Sequence, residues 1–258
     1  MIHETAIVHP TAELADDVEI GPYSIIGEKV KIGKGTSIGS HCVIDKWTVI
    51  GTGCQIYQYA SLGPPPQHMQ YKGEETSVII GNNNIIREFV TIHRGTPFGN
   101  GKTVLGDENF IMAYAHVAHD CILGNHVVMA SYAALGGHVE IGDHAIIGGI
   151  VAIHQYVRIG TYAFIGGATA LTRDIPPYIT ASGMKVKFYG INVVNLQRSN
   201  VPAEVIKGLR KAYKLLFRSQ LTMEEAIQKV HDDPAYALPE VKHMVDFIKG
   251  SKRGVTRR

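Results

Sequence analysis

Two histidines and an aspartate lie close together in the stretch "YAHVAHDC", as His116, His119 and Asp120. A neutral imidazole can accept a proton near pH 7, and a carboxylate beside it can fix the orientation of the ring. Imidazole nitrogens and carboxylate oxygens are also zinc ligands. The three residues therefore admit a general base, a metal site or polar surface side chains, and the surrounding fold must decide between these.

The elements around this stretch follow a six-residue repeat. An aliphatic residue stands at every sixth position from Ile2 to Leu62 and again from Leu105 to Leu171, and a small or β-branched residue commonly follows four positions later. This period fits neither one helix nor one strand, but is typical of a solenoid of short strands, the parallel β-helix. Both repeated positions should point inward, which predicts that all three cysteines are core residues: Cys42, Cys54 and Cys121.

Two segments interrupt the repeat, and a different pattern follows it. Residues 63–77 contain three consecutive prolines, which cannot donate to a strand ladder, and residues 96–104 shift the register. Helix signals begin at Pro202 and include a capping box from Thr222 to Glu225 and a helix start at Pro239. We therefore predict a β-helix over 1–190 with external loops 63–77 and 96–104, followed by a C-terminal helical domain over 191–258.

Hexapeptide repeats of this kind resemble the left-handed β-helix acyltransferases, whose triangular coils contain three hexads each. The resemblance implies the handedness, and it implies that residues 18 positions apart stack on successive coils. On this basis Gly137 lies one coil above His119, and His138 lies one coil above Asp120. A histidine, a carboxylate and a glycine backbone in this arrangement suit a base, its orienting partner and an oxyanion donor.

Four stacked hexads contain no charged residue: 111–116, 129–134, 147–152 and 165–170. Soluble monomers rarely expose an apolar patch of this size. Packing against the polar hexads of a neighbouring copy is a heterologous contact, which three copies can close into a ring. We predict a homotrimer with the histidines in a cleft between subunits. The alternative is that the helical domain covers these hexads.

Composition limits the class of protein. The net charge of +2 argues against a nucleic-acid binder, and three cysteines are too few for a disulfide framework. No apolar run approaches the roughly 20 residues that a membrane span needs. We predict a cytoplasmic protein.

A set of motifs closely resembles the UDP-N-acetylglucosamine 3-O-acyltransferases, which start lipid A synthesis: "YQYASLG", "GEET", "VTIHRGT", "AHVAHD", "AIHQY" and "RDIPPY". The resemblance implies transfer of a long 3-hydroxyacyl chain from acyl carrier protein to the 3-hydroxyl of UDP-N-acetylglucosamine, with no cofactor, metal or covalent intermediate. In this reaction His119 is the general base, Asp120 orients it, and the backbone N–H of Gly137 stabilises the oxyanion.

The same resemblance assigns further roles residue by residue. Gly167 matches the floor of the acyl pocket. The substrate ligands are expected to be His116, His138, His154, Gln155, Gln67, Gln70, Asn192 and Arg198. Acyl carrier protein is acidic, so we expect it to dock on the basic stripe of the first long tail helix, which comprises Lys207, Arg210, Lys211, Lys214 and Arg218.

Some features leave alternatives open. Many relatives have lysine at the position of Gln70 and a second basic residue at that of Ser199, so the contacts to the diphosphate are uncertain; Lys72 or Lys185 are candidates to replace them. A 3-amino sugar acceptor and the exact acyl length also stay open. The rival functions are a non-catalytic scaffold and a zinc hydratase like the γ-class carbonic anhydrases, with ligands His116, His119 and His138.

Overall fold

Three parallel sheets form the three sides of a long prism in the computed structural model, which describes residues 1–256; the last two residues of the predicted helical domain lie outside the described residues. The first sheet contains Ile7–Val8, Ile25–Ile26, Val43–Ile44, Ser61–Leu62, Thr91–Ile92, His116–Val117, Ala134–Leu135, Ala152–Ile153 and Ala170–Leu171. The second contains Glu13–Leu14, Lys31–Ile32, Thr48–Ile50, Ser77–Ile80, Lys102–Leu105, Ile122–Leu123, Glu140–Ile141 and Arg158–Ile159. The third contains Glu19–Ile20, Ser37–Ile38, Gln55–Ile56, Ile85–Ile86, Phe110–Ile111, Val128–Met129, Ile146–Ile147, Phe164–Ile165, Ile179–Ser182 and Lys187–Ile191.

The six-residue repeat produces this prism because each hexad supplies one short strand and one corner. Ladder partners such as Ile25 and Val43 are 18 residues apart, so three hexads complete a coil. The aliphatic residue that ends each strand and the small residue of each hexad point inward, and all three cysteines are completely buried. The predicted β-helix and the core position of the cysteines are confirmed.

Most corners are turned by a residue with left-handed backbone geometry. Asp120 (φ 60°), His126 (φ 55°) and Tyr132 (φ 62°) occupy this position on three successive corners. Because corner residues 18 apart lie above one another, their rings stack, as for His126 and His144 with centroids 4.5 Å apart. The repeat therefore fixes the positions of the corner side chains along the prism axis, as it does those of the strands.

The two loops leave the prism at the corner between the first and second sheets. One runs from Leu62 to the strand that begins at Ser77, and the other from Ile92 to the strand Lys102–Leu105. The second loop is shorter than predicted, because residues 102–104 pair with the strand Ser77–Ile80. Asp120 turns the same corner one coil further on, so both loops lie beside it.

The C-terminal region closes one end of the prism. Ile179–Ser182 and Lys187–Ile191 form an antiparallel hairpin on the third sheet. Four α-helices follow, with a 3₁₀ turn at Pro234–Tyr236 between the last two: α1 (Val193–Arg198), α2 (Ala203–Arg218), α3 (Met223–Asp232) and α4 (Pro239–Lys249). The capping box at Thr222 and the start of α4 at Pro239 are confirmed, whereas α1 and the hairpin were not predicted. None of the helices in residues 1–256 combines the length and apolar character of a membrane span.

The helical region does not cover the uncharged hexads. Tyr132 and Ile150, which turn the corner of two of these hexads, are 57% and 69% exposed. The alternative in which the helices bury this face is therefore wrong for the described residues. The helices pack instead on the end of the prism, where Phe188 contacts Phe217 of α2.

Candidate active site

The first feature of the site is a bonded histidine and aspartate pair. Nδ1 of His119 lies 2.8 Å from Oδ2 of Asp120, and both residues are buried. An ionised carboxylate accepts a hydrogen bond from the protonated Nδ1, which leaves Nε2 as the basic nitrogen. Within residues 1–256, Nε2 of His119 has no hydrogen-bond partner, so it is free to accept a proton from a bound molecule.

The second loop holds Asp120 in place. The backbone N–H and hydroxyl of Thr96 donate to its carboxylate, the hydroxyl at 2.7 Å, and the backbone N–H of Asn100 donates at 2.9 Å. Gly99 lies so close that a Cβ atom there would be 2.5 Å from the carboxyl carbon. Burial alone would raise the pKa of Asp120, but the hydrogen bonds from His119 and Thr96 outweigh burial, and the pKa lies below its ordinary value. The carboxylate is therefore ionised and fixed.

Gly137 lies directly above the imidazole of His119. A Cβ atom at Gly137 would be 2.5 Å from Cε1 and 2.7 Å from Nε2 of this ring, so a larger residue would displace it. Within residues 1–256 the backbone N–H of Gly137 has no acceptor, and it is available to a bound oxyanion.

His116 lies in the same cavity as His119 but has a different hydrogen-bond partner. Its Nδ1 lies 2.7 Å from the hydroxyl of Thr91, and its ring is 5.2 Å from that of His93. Burial, and then the charges of His93 and His119, lower the pKa of His116 to about 4. His116 is therefore neutral near pH 7 and suits a hydrogen bond to a neutral ligand group.

An open cavity of about 620 Å³ brings half of the predicted catalytic, substrate-binding and acyl-pocket residues together. Its polar lining includes Gln67 from the first loop together with His116, His119, His154 and Gln155. Its floor is apolar and is made by three stacked residues of the first sheet: Ala134, Ala152 and Ala170. The cavity thus combines a basic nitrogen with a track of small apolar side chains.

His138 lies on the other side of Asp120. Its ring stacks on Tyr156 with centroids 4.5 Å apart, and its Nε2 is 3.8 Å from Oδ2 of Asp120. Both rings line an adjoining cavity of about 630 Å³ that also contains Arg158 and Lys252. Burial lowers the pKa of His138, although the charge of Asp120 opposes this.

Four further residues predicted for the substrate or acyl pocket line neither of these two cavities. Gln70 is exposed on the first loop. Asn192 precedes α1, and its side-chain amide donates to the carbonyl of Tyr162, at the corner between the second and third sheets. Arg198 ends α1. Gly167 connects the third sheet to the strand of Ala170, three residues before the end of the cavity floor.

Other residues of the site were missed in the sequence. The ring of His68 lies 5.5 Å from that of His119, edge to face, and 5.4 Å from that of Phe98. His68 therefore contacts the second loop through Phe98 and lies beside the corner of His119 and Asp120. Thr96, Gly99 and Asn100 were also missed as partners of Asp120. One feature of the sequence could have located these residues. Both interruptions of the repeat follow the same hexad position, one coil and two coils before His119, so both loops should lie near it.

The ligands predicted for a zinc hydratase do not come together. Within residues 1–256, the cluster with ligand atoms within 4.8 Å of one another is His119, Asp120 and His138, without His116. The oxygens of Asp120 already accept bonds from Thr96, Asn100 and His119. A cation at this point would have to displace donors that hold the loop.

A prism of hexads with a basic histidine over an open cavity defines the class of hexapeptide-repeat transferases. Residues 102–137 match the family model described as bacterial transferase hexapeptide (six repeats), and residues 174–256 match that of UDP-N-acetylglucosamine O-acyltransferase, domain 2. The chain belongs to the UDP-N-acetylglucosamine O-acyltransferase family.

Full-length relatives support this membership. The Aquifex aeolicus protein named acyl-acyl-carrier-protein–UDP-N-acetylglucosamine O-acyltransferase is 62% identical over 99% of this chain and 98% of its own length. The Thermodesulfovibrio yellowstonii protein of the same name is 53% identical over 99% of both chains. The structure of LpxA from Acinetobacter baumannii has a TM-score of 0.95 and 45% identity over 99% of both chains. The predicted left-handed β-helix with C-terminal helices and the assignment as an acyltransferase are confirmed.

Proposed function

We propose that this acyltransferase moves a long 3-hydroxyacyl chain from acyl carrier protein to the 3-hydroxyl of UDP-N-acetylglucosamine, the first step of lipid A synthesis. The observation that carries the proposal is the free Nε2 of His119, in a ring fixed by Asp120, at the entrance of a track floored by alanines. The names of the relatives supply the substrates. A cytoplasmic location stays a prediction that accompanies this reaction.

The proposed mechanism needs one base and one oxyanion donor. Nε2 of His119 takes the proton of the sugar hydroxyl as its oxygen attacks the thioester carbon, and Asp120 stabilises the resulting imidazolium. The N–H of Gly137 binds the oxyanion of the tetrahedral intermediate. When the carbon–sulfur bond breaks, the imidazolium returns the proton to the leaving thiolate, so the enzyme ends unchanged.

Direct transfer without an acylated enzyme agrees with the position of the nearest thiol. Cys121 follows Asp120, but its side chain points into the core and is completely buried. Burial raises the pKa of Cys121 to about 12. This thiol is therefore neither ionised nor accessible to an acyl donor.

The proposal includes a homotrimer with the cavity of His119 between subunits, as predicted from the uncharged hexads. Support comes from the exposed corner between the third and first sheets, where Tyr114 and Tyr132 stack with centroids 4.9 Å apart. Ile150 follows them with φ 58°, a conformation that costs energy for a β-branched residue. Such an exposed apolar ridge suits burial against a second copy.

Incubation with UDP-N-acetylglucosamine and a panel of 3-hydroxyacyl carrier proteins tests the proposal, with the product identified by mass spectrometry. We expect acylation at the 3-hydroxyl by a long-chain donor, with the rate unchanged after treatment with a chelator. Absence of transfer from every donor would overturn the proposal. Stoichiometric zinc, with carbon dioxide hydration that the chelator abolishes, would favour the rival hydratase.

The Gly167→Met variant should change the acyl length that the enzyme accepts. Gly167 lies in the coil whose Ala170 floors the end of the cavity, and a long side chain there fills space that the end of a long acyl chain needs. We expect kcat/KM to fall about 10- to 200-fold for the preferred long donor and much less for a donor several carbons shorter. The rate with the short donor serves as the internal control. An equal loss with both donors would contradict a role in measuring length.

Reversing charges on α2 should weaken the interaction with acyl carrier protein. Lys207, Lys211 and Lys214 are exposed along one stripe, whereas Arg218 differs from them because its guanidinium donates to the carbonyl of Phe188 and to the hydroxyl of Tyr213. We expect the Lys207→Glu, Lys211→Glu, Lys214→Glu variant to raise KM for the donor roughly 10-fold at low salt and to flatten its salt dependence, with kcat little changed.

The matched control for the stripe reverses three exposed lysines near the other end of the prism: Lys29, Lys31 and Lys34. This variant carries the same change in net charge and should leave KM for the donor unchanged. Equal effects of the two variants would show that total charge, and not a dock on α2, sets the affinity.

A further inference from the structure

Arg94 is a buried arginine that the proposed mechanism does not use. Its side chain is 2% exposed, which is unusual for a charged residue unless it is paired and hydrogen-bonded. The nearest carboxylate oxygen is Oδ2 of Asp45, 3.4 Å from Nη1. The guanidinium also lies 5.0 Å from the ring of Trp47. Burying a cation is costly, so a specific structural task is expected of it.

The bonds of Arg94 go to the first loop. Nη1 donates to the carbonyl of Gly63 at 2.8 Å, where the loop begins, and Nε donates to the hydroxyl of Tyr71 at 2.9 Å, near its middle. The backbone N–H of Arg94 donates to the carbonyl of Pro64 at 3.1 Å. One residue therefore joins the beginning of the loop to its middle.

The residues on either side of Arg94 make further hydrogen bonds to the first loop. Nδ1 of His93 lies 2.7 Å from the carbonyl of Pro65, and the backbone N–H of Gly95 donates to the carbonyl of Ser77, at the end of the loop. The next residue, Thr96, bonds to the carboxylate of Asp120. The segment 93–96 thus holds the first loop on one side and the partner of His119 on the other.

We propose that Arg94 is a positioning residue for acyl transfer: it holds the loop 63–77 closed, so that Gln67 lines the cavity and His68 lies over His119. The expected change in acyl-transfer kinetics rests on the proposed function, whereas the expected change in the position of the loop does not. A guanidinium is required because its donors form a rigid fork that can reach Gly63 and Tyr71 together. A lysine ammonium keeps the charge but reaches one of these acceptors at a time.

Lys72 supplies a direct readout of the loop, because trypsin cleaves after lysine and Lys72 follows Tyr71. We expect trypsin to cleave the folded Arg94→Lys variant after Lys72 about 10-fold faster than the wild type, relative to cleavage after Lys34 in the same digest. In the acyl-transfer assay with acyl donor and sugar nucleotide, KM of this variant for the sugar nucleotide should rise and kcat/KM should fall about 10²-fold. Small misplacements of binding groups have effects of this size. Tyr71→Phe keeps the ring, removes one acceptor of the fork, and should show the same changes at smaller size.

Arg87→Lys is the matched control, because Arg87 stacks on Tyr57 and pairs with Glu88 away from the loop. It should leave both the cleavage ratio and the kinetics unchanged. The inference is overturned if trypsin cleaves Arg94→Lys and Tyr71→Phe after Lys72 at the wild-type ratio. It is also overturned if cleavage after Lys72 and after Lys34 increases equally, which indicates general destabilisation. If the wild type transfers no acyl group, the proposed function fails while the cleavage ratio still decides whether Arg94 closes the loop.

Discussion

The His119→Ala variant is expected to lower kcat for acyl transfer by about 10²- to 10⁴-fold, the range that a positioned general base supplies. Within residues 1–256, the other histidines that line the cavity, His116 and His154, have no carboxylate bonded to Nδ1 and do not replace this base. Asp120 keeps its bonds from Thr96 and Asn100, so the loop should remain folded. Single-turnover rates with saturating donor and acceptor measure the chemical step directly.

His126→Ala is the matched control for this prediction. His126 turns a corner of the same prism and stacks on His144, but on the corner between the second and third sheets. Its removal should leave kcat unchanged. Wild-type turnover by His119→Ala would contradict the general-base mechanism and would favour a different base.

The regular part of the fold could be predicted because the repeat acts locally. Every hexad carries its own inward aliphatic residue, and the ladder spacing follows from three hexads per coil. The stacking of Gly137 over His119 follows from the same spacing, so two groups of the site could be located by counting. The end of the second loop could not be located by counting. Residues 102–104 belong to a strand because they pair with Ser77–Ile80, and this pairing is not visible in the sequence.

The contacts of the loops could not be predicted from the sequence, for a physical reason. Irregular segments have no period, and the bonds from Thr96 to Asp120 and from Arg94 to Gly63 depend on the path of the backbone. Arg218 shows the converse limit: its spacing places it on the basic stripe, but two of its donors bond to Phe188 and Tyr213 of the same chain. Asn192 and Arg198 do not line the cavity of His119 within one chain, so their predicted role as ligands depends on the proposed trimer.

Asp120→Asn is the second substitution with a large expected effect. The asparagine amide offers one oxygen where the carboxylate offers two, and its NH₂ group would face the donors of Thr96 and Asn100. The variant also loses the charge that stabilises the imidazolium of His119. In the opposite orientation its NH₂ group would face Nδ1 of His119 and favour the wrong tautomer. We expect kcat to fall by up to about 10⁴-fold, the loss known for the aspartate of a serine protease triad, with a smaller change in KM.

The matched control is Asp143→Asn. The carboxylate of Asp143 also accepts a backbone N–H from the coil below, that of Asn125 at 2.7 Å, but it is remote from His119. This variant should retain wild-type kcat. If both variants lose activity equally, the effect of Asp120 lies in the general stability of the corners and not in the orientation of His119.

The dependence of stability on pH separates the charge of Asp120 from its packing. The pKa of Asp120 is lowered in the folded protein, so its contribution to stability is complete above the ordinary aspartate pKa and is lost as the pH falls through the lower folded value. The difference in melting temperature between the wild type and Asp120→Asn should therefore be largest at neutral pH and shrink on acidification. A difference that stays constant down to the acid limit of folding would mean that shape, and not charge, is what the loop recognises. In that case the donors of Thr96 and Asn100 would fix His119 equally well through a neutral partner.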